Sequence, residues 1–350
     1  MDSLTDKLRQ RIEQGGPITV ADYMAVSASH YYNNREPFGA AGDFTTAPEI
    51  SQMFGELIGL WCALVWQMLG SPERVVLAEI GPGRGTLMND LLRAAGSVPP
   101  FLKAAEVWLV ETSPRLAARQ RQTLAGRDVN WCESFDQLPD GPLLLVANEL
   151  FDALPVRQFE KRGGQWYERM VGCTELGFEF VTGPQAQPDL PEEVLDAPDG
   201  SVVEICDQGR ELAKQIGRRL NRQPGMALVV DYGHGRSSAG DTLQALSRHR
   251  FHAVLESPGS ADLTAHVDFQ SLAAAAVPAR AWGPMTQGDF LRLLGIETRA
   301  AMLAQAGGEK VAAEIMGQMR RLIDADEMGT LFKALALASP TLAAPPGFVC

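Results

Sequence analysis

Two short runs carry the residues best suited to chemistry, and each lies where an apolar segment ends. The first is EIGPGRG, residues 79–85. Its three glycines let the backbone come close to a ligand, and a helix that follows offers free N–H groups to it. The second is NELFD, residues 148–152, with two carboxylates, Glu149 and Asp152, at the end of the apolar run 143–147. Carboxylates in such a place can cap a turn or hold a cation.

Two ligands compete for the glycine turn. A dinucleotide fingerprint reads GxGxxG, whereas Gly81, Gly83 and Gly85 form GxGxG and Thr86 stands where the third dinucleotide glycine would fall. Glu79 precedes the turn, and a carboxylate there disfavours a pyrophosphate. It suits the amino group of a methionine moiety, a charge-assisted contact worth about 1.5–3 kcal/mol. These residues therefore favour S-adenosylmethionine (SAM). Glu111 ends the next apolar run, where an acid accepts hydrogen bonds from a ribose diol. SAM and NAD share that ribose, so Glu111 marks an adenosine-type ligand without choosing between them. Cys132, Glu133 and Ser134 follow a third run, where an adenine edge would be read.

Elements must place these runs along one edge. Residues 74–80, 106–111, 129–132, 143–147 and 226–231 read as strands, with helical patterns such as 114–125 and 209–220 between most of them. Nearly continuous apolar strands alternating with helices predict a mostly parallel, Rossmann-like α/β sheet covered on both faces. Its ligands would bind at the C-terminal strand ends. Residues 3–14 and 18–29 read as short helices and 31–46 as a loop; Pro48 opens a buried helix that runs to Gly70. KRGGQWYERM reads as a hairpin turning at Gly163-Gly164. A last strand is expected at 331–337. The expected organisation is an N-terminal helical segment, 1–70, and a core, 71–350, with a cap lobe inserted at about 233–285.

The 350 residues carry a formal net charge of -12. An acidic surface repels phosphate backbones, which argues against a nucleic-acid partner and suits a cationic one, such as an Arg-bearing protein. The five cysteines, Cys62, Cys132, Cys173, Cys206 and Cys350, lack metal-ligand spacing and read as buried free thiols. No metal site is expected. The opening MDSLTDKL resembles neither a secretory signal nor an organelle presequence, and the most apolar window, 57–66, is too short to span a bilayer. These features lead to the expectation of a cytoplasmic protein without stable membrane insertion.

EIGPGRG, NELFDALPV (148–156), VDYGH (230–234), ADLTAHVDF (261–269) and the N-terminal GDFTTAPEISQ (42–52) followed by FGE (54–56) occur in order. In these motifs the chain resembles the MidA-type SAM-dependent methyltransferases, which include the complex I assembly factor that methylates arginine in a complex I subunit. The resemblance runs from about Ile18 to the last strand. It implies a class I SAM-dependent methyltransferase fold with extra segments and a protein substrate, such as a respiratory complex I subunit.

In that topology NELFD borders the transferable methyl group. Asn148 is assigned to the cofactor with Glu79, Gly81, Gly83, Gly85, Glu111 and Glu133; Glu149 and Asp152 are the candidate catalytic pair. A guanidinium with a pKa near 13 costs roughly 8 kcal/mol to deprotonate at pH 7. Carboxylates can instead orient the cation and take its proton as the new bond forms. Residues 43–46 and Asp231, Tyr232 and His234 could line the site. His266 reads as structural, Trp61 and Trp66 as core, and Arg218 and Arg219 as a solvated helix face. A small-molecule methyltransferase and a non-catalytic SAM-binding assembly factor remain alternative readings.

Overall fold

The computed structural model describes residues 3–34, 46–247 and 250–348. Its centre is a sheet whose strands are numbered here β1 Val75–Ile80, β2 Ala105–Val110, β3 Val129–Cys132, β4 Leu143–Asn148, β5 Gly225–His234, β6 Arg280–Thr286 and β7 Phe332–Ala338. Their order across the sheet is β3-β2-β1-β4-β5-β7-β6. β1 to β5 pair in parallel, and β7 enters antiparallel between β5 and β6. Every residue of β1 and β4 is buried, as a sheet covered on both faces requires. Val75 and Leu77 face one core and Val76, Ala78 and Ile80 the other, following the two-residue period of a strand.

The helices Gln52–Met68, Thr86–Ala95 and Ile296–Ile323 contribute to the core on the first face. Gln52–Met68 and Thr86–Ala95 touch backbone to backbone. A Cβ on Gly59 would lie 2.6 Å from the Leu91 carbonyl oxygen, and one on Gly55 the same distance from the Asp90 Cβ. Asp207–Arg222 and Phe269–Ala275 cover the second face. The Asp207 helix has a stripe of Ala213, Ile216 and Leu220 that it buries against the sheet. Arg219, expected on the solvated face, is buried and donates to the carbonyls of Leu138 and Pro139; Arg218 is exposed as expected.

A second, antiparallel sheet leaves the core between β4 and the Asp207 helix. It is built from Arg157–Arg162, Gln165–Thr174, Gly177–Ala186 and Val202–Ile205. The expected hairpin is its first pair, closing at Gly163 (φ 59°) and Gly164 (φ 75°) with Arg162 opposite Gln165. Two consecutive positive φ angles are what a tight hairpin turn requires.

The N-terminal helices divide between the second sheet and the first face of the central one. Leu4–Gly15 and Val20–Asn34 pack on the second sheet, with Ile18–Thr19 pairing Gln165–Thr174 as an edge strand. The expected helix from Pro48 to Gly70 is instead a turn, Ala47–Ile50, and a helix, Gln52–Met68. Ser51, in extended conformation between them, accepts from the Met53 amide. The expected inserted lobe also divides. Gln244–Ser247, Arg250–His252 and Asp262–Thr264 form a small separate sheet, whereas Val267–Asp268 pairs with β5 and Arg280–Thr286 is β6 itself. Of the cysteines described, all free, Cys62 is buried as expected, but Cys132, Cys173 and Cys206 are half-buried; Cys350 lies outside the described residues.

Candidate active site

The glycine turn, the end of β4 and the Thr46–Ile50 segment meet at the C-terminal edge of the sheet. Thr46, Pro48, Glu49, Glu79, Gly81, Pro82, Gly83, Arg84, Thr86, Leu87, Asn148 and Glu149 line one cleft. Gly81, Gly83 and Gly85 have φ of 67°, 51° and 81°, a region that glycine enters without strain. At Gly81 a Cβ would sit 2.7 Å from the Leu150 Cδ1, so any other residue would strain a left-handed backbone position and have to displace the tip of the Leu150 side chain. Gly85 then caps the Thr86–Ala95 helix.

Thr86 is the residue that fails the dinucleotide pattern, and its hydroxyl donates to Glu49 Oε1 at 2.6 Å. Arg84 pairs with the other oxygen of Glu49 at 3.4 Å. The side chain that replaces the third glycine thereby ties the turn to the Ala47–Ile50 segment across the cleft.

Glu79 is 2% exposed, and its Oε2 finds no partner among the described residues. Burial pushes its pKa up to about 8, against a bond from the Met88 amide, and the Glu111 charge adds to the rise. Asn148 is buried, and its Oδ1 also has no partner among the described residues. Buried acceptors without donors are costly and are uncommon in folded proteins. Two of them facing one cleft fit a ligand that brings donors or positive charge, as the amino end of SAM does.

Glu111 follows β2 on the same edge. Its Oε1 accepts from the Ser113 amide at 2.7 Å and its Oε2 from Gln120 Nε2 at 2.9 Å. Gln120, buried, also donates to the Gly83 carbonyl and accepts from Trp131 Nε1. This one amide joins the glycine turn, Glu111 and β3, and nothing in its local sequence marks it. Glu133, just past β3, is exposed, with its amide held by Gln137.

NELFD is not the start of a helix. Glu149 has φ 50°, a left-handed conformation that non-glycine residues adopt rarely. Its Oε1 accepts from the Ala47 amide at 2.9 Å and from Asn148 Nδ2 at 3.2 Å. Burial raises its pKa to about 8, with the Ala47 bond opposing and the Asp152 charge reinforcing the rise. Asp152 is 7% exposed, its Oδ1 has no partner among the described residues, and burial raises its pKa to about 6, with a hydrogen bond to Tyr232 opposing. Tyr32, from the second N-terminal helix, donates to Asp262 of the inserted lobe at 3.0 Å, and the charge of Asp152 acts on it as well. Carboxylates and phenols from four separate segments therefore converge here.

Asp231 does not face the cleft: it is fully buried, and its carboxylate binds backbone amides of NELFD. Tyr232 packs edge-on to His266 and beside Phe332. His266 is half-buried, and its pKa is lowered by burial. Asp43, Phe44 and Thr45 lie outside the described residues. Sequence reasoning missed Glu49 and Gln120; Glu49 lies within the GDFTTAPEISQ motif, where its position gave no chemical cue. Among the described residues no cluster of His, Cys, Asp and Glu could hold a metal, and no helix is long and apolar enough to cross a membrane.

Residues 57–284 match the family model described as S-adenosyl-L-methionine-dependent methyltransferase. Among curated proteins, the chain is 35% identical to the mitochondrial protein arginine methyltransferase NDUFAF7 homolog of Drosophila melanogaster, covering 98% of this chain and 86% of that one. It is 34% identical to human mitochondrial protein arginine methyltransferase NDUFAF7, covering 94% and 82%. Among solved structures, a protein from Burkholderia thailandensis bound to S-adenosyl-homocysteine superposes with a TM-score of 0.86 at 28% identity, over 99% of this chain and 94% of that one.

These findings overturn the expected cytoplasmic location, since both curated relatives are mitochondrial by name. That expectation rested on the first residues and on the short apolar window 57–66, and neither determines the compartment. The sheet order, the cleft with its unpartnered acceptors and the matches over nearly the whole chain lead to one conclusion: the chain belongs to this family of SAM-dependent methyltransferases, and SAM is its cofactor.

Proposed function

We propose that the chain methylates arginine in a protein, with Glu149 and Asp152 holding the guanidinium. The observation that carries the reading is the pair of acids at the end of β4. Glu149 lines the cofactor cleft, and Asp152 is near enough for its charge to act on Glu149. Both have raised pKa values, Asp152 Oδ1 has no partner among the described residues, and the Arg321 charge, without an ion pair among the described residues, partly offsets the rise at Glu149. Burying acids without a cation is costly, and a planar guanidinium offers paired donors of the right charge. The two curated relatives carry the same activity in their names. Following the family resemblance, the acceptor protein is a subunit of respiratory complex I.

Bound SAM supplies the methyl group. The glycine turn, Glu79, Asn148 and Glu111 bind and orient it, with Gln120 fixing the turn against Glu111. Glu149 is poised between the cleft and the Ala47 segment, so it can hold the guanidinium beside the transferred group. A carboxylate raised to about 6, as at Asp152, is ionised at neutral pH yet basic enough to accept the proton released as the N–C bond forms. Positioning supplies the rest, as expected for an in-line displacement.

The test is transfer of label from methyl-tritiated SAM to protein by Glu149→Gln and Asp152→Asn. Both are expected to lose about 10²-fold or more in rate, the range typical of acid–base and positioning groups, with SAM binding retained. Wild-type rates in both would overturn the assignment. Label only in the low-mass fraction would select a small-molecule acceptor instead.

A further inference from the structure

We infer that Asp231 is a positioning residue for methyl transfer: its buried carboxylate holds the NELFD loop in the conformation that presents Glu149 and Asp152. The proposal rests on the roles given to those two acids above.

Asp231 lies in β5, two strands across the sheet from β1 and its glycine turn, and is 0% exposed. Its Oδ2 accepts from the amides of Leu150 at 3.1 Å, Phe151 at 2.9 Å and Asp152 at 3.3 Å. Its Oδ1 accepts from the Tyr232 amide at 2.9 Å. One oxygen thus gathers three successive N–H groups, a local geometry that neither a helix nor a strand supplies. The loop needs such a clamp. Glu149 turns through a positive φ, no helix follows to satisfy the amides, and the segment is largely buried. Strained backbone of this kind persists only where its surroundings determine it.

Two further bonds act on the same five residues. The Glu149 amide donates to the Val230 carbonyl at 2.9 Å, and the Asp152 carbonyl accepts from the Ala265 amide at 2.9 Å. Val230 and Asp231 together fix the start of the loop to β5, while Ala265 fixes its far end to the link between Asp262–Thr264 and Val267–Asp268. Tyr232, next along β5, reaches the Asp152 side chain. The dipeptide Asp231-Tyr232 therefore sets the backbone of the loop with one residue and the orientation of its last acid with the other. The Phe151 ring is buried on the second-face core, so the loop cannot drift outward as a whole. The freedom left to it is rotation about residues 149 and 150, and that rotation would move Glu149 in the cleft.

The test uses Asp231→Asn, which keeps one acceptor oxygen, and Asp231→Ser, whose short hydroxyl cannot reach three amides. Initial rates of label transfer from methyl-tritiated SAM to proteins of a cell extract are measured with SAM varied. Amide hydrogen exchange at residues 150–152 is followed in parallel. The expected result is a graded fall in Vmax, about 10²-fold in the serine variant as for a small misplacement of reacting groups, with the KM for SAM unchanged. Loss of exchange protection at the three amides should follow the same order. A purely structural role would lower the melting temperature without separating Vmax from the KM for SAM. Wild-type Vmax in a variant whose three amides have lost protection overturns the proposal. So does rapid exchange of these amides in the wild-type protein, which needs no variant to fold. Glu149→Gln and Asp152→Asn are run beside them. If those two keep wild-type rates while the Asp231 variants lose theirs, the failure lies in the assignment of the two acids, and the positioning role falls with it.

Discussion

Replacing Glu79 by glutamine separates what the cofactor site costs the fold from what it gives the ligand. The carboxyl is almost wholly buried and its pKa is raised from 4.5 to about 8. An acid with a raised folded-state pKa holds its proton more tightly when folded. Its contribution to stability is fully present below the unfolded value and is lost as pH rises towards the folded one. The rise corresponds to a ceiling of about 5 kcal/mol by pH 8. Glutamine removes the charge, keeps an acceptor for the Met88 amide and leaves its NH2 where Oε2 now lacks a partner. That unmatched group offsets about 1–3 kcal/mol of the gain. The ligand-free variant should therefore be more stable than wild type at pH 8 by about 2 kcal/mol, roughly 3–6 °C in Tm, with the difference vanishing near pH 6 and reversing below it. Its SAM affinity should fall about 10- to 150-fold as a charge-assisted contact is lost. Differential scanning fluorimetry across pH, with and without SAM, measures both. A ligand-free variant that is less stable at pH 8 and binds SAM as wild type does would refute the role of Glu79.

The same carboxyl predicts proton release. At pH 7 most Glu79 is protonated in the free protein, so binding a cationic amino group should expel up to one proton. SAM affinity should rise with pH until the amino group itself deprotonates near pH 8; calorimetry in buffers of different ionisation enthalpy would show no such release if Glu79 faced elsewhere. Gly81→Ala should weaken SAM binding more than tenfold, since the new Cβ meets Leu150 at 2.7 Å in a left-handed backbone position; equilibrium dialysis checks it. The rate of methyl transfer at saturating SAM should fall as pH drops through about 6, where Asp152 takes up a proton, and a flat pH–rate profile from 5 to 8 would contradict its role as proton acceptor.

What could be read from the sequence follows burial. β1, β4 and β5 are apolar along nearly their whole length because both faces are covered, and such runs stand out without any partner being known. EIGPGRG was equally legible, because three positive φ angles require glycines at fixed spacing. The second sheet was not. Gly177–Ala186 is half-exposed along its length and carries no alternation to mark it. β6 was hidden inside the expected lobe for a similar reason: an edge strand with Arg280, Gly283 and Pro284 reads as loop until β7 pairs with it. The functions of Asp231 and Gln120 depend on bonds to residues more than 35 positions away, which no local pattern records. Glu149 and Asp152 stand out in the sequence as carboxylates at a strand end, although their left-handed, clamped backbone appears only in three dimensions.

The most direct test of the whole account is the identity of the methylated residue. Purified protein is incubated with methyl-tritiated SAM and a mitochondrial extract lacking the endogenous enzyme, and the labelled protein is hydrolysed to amino acids. The account predicts label in methylarginine, absent when Asp152→Asn replaces the wild type. Label in another amino acid, or none in protein while SAM binding is intact, would contradict it.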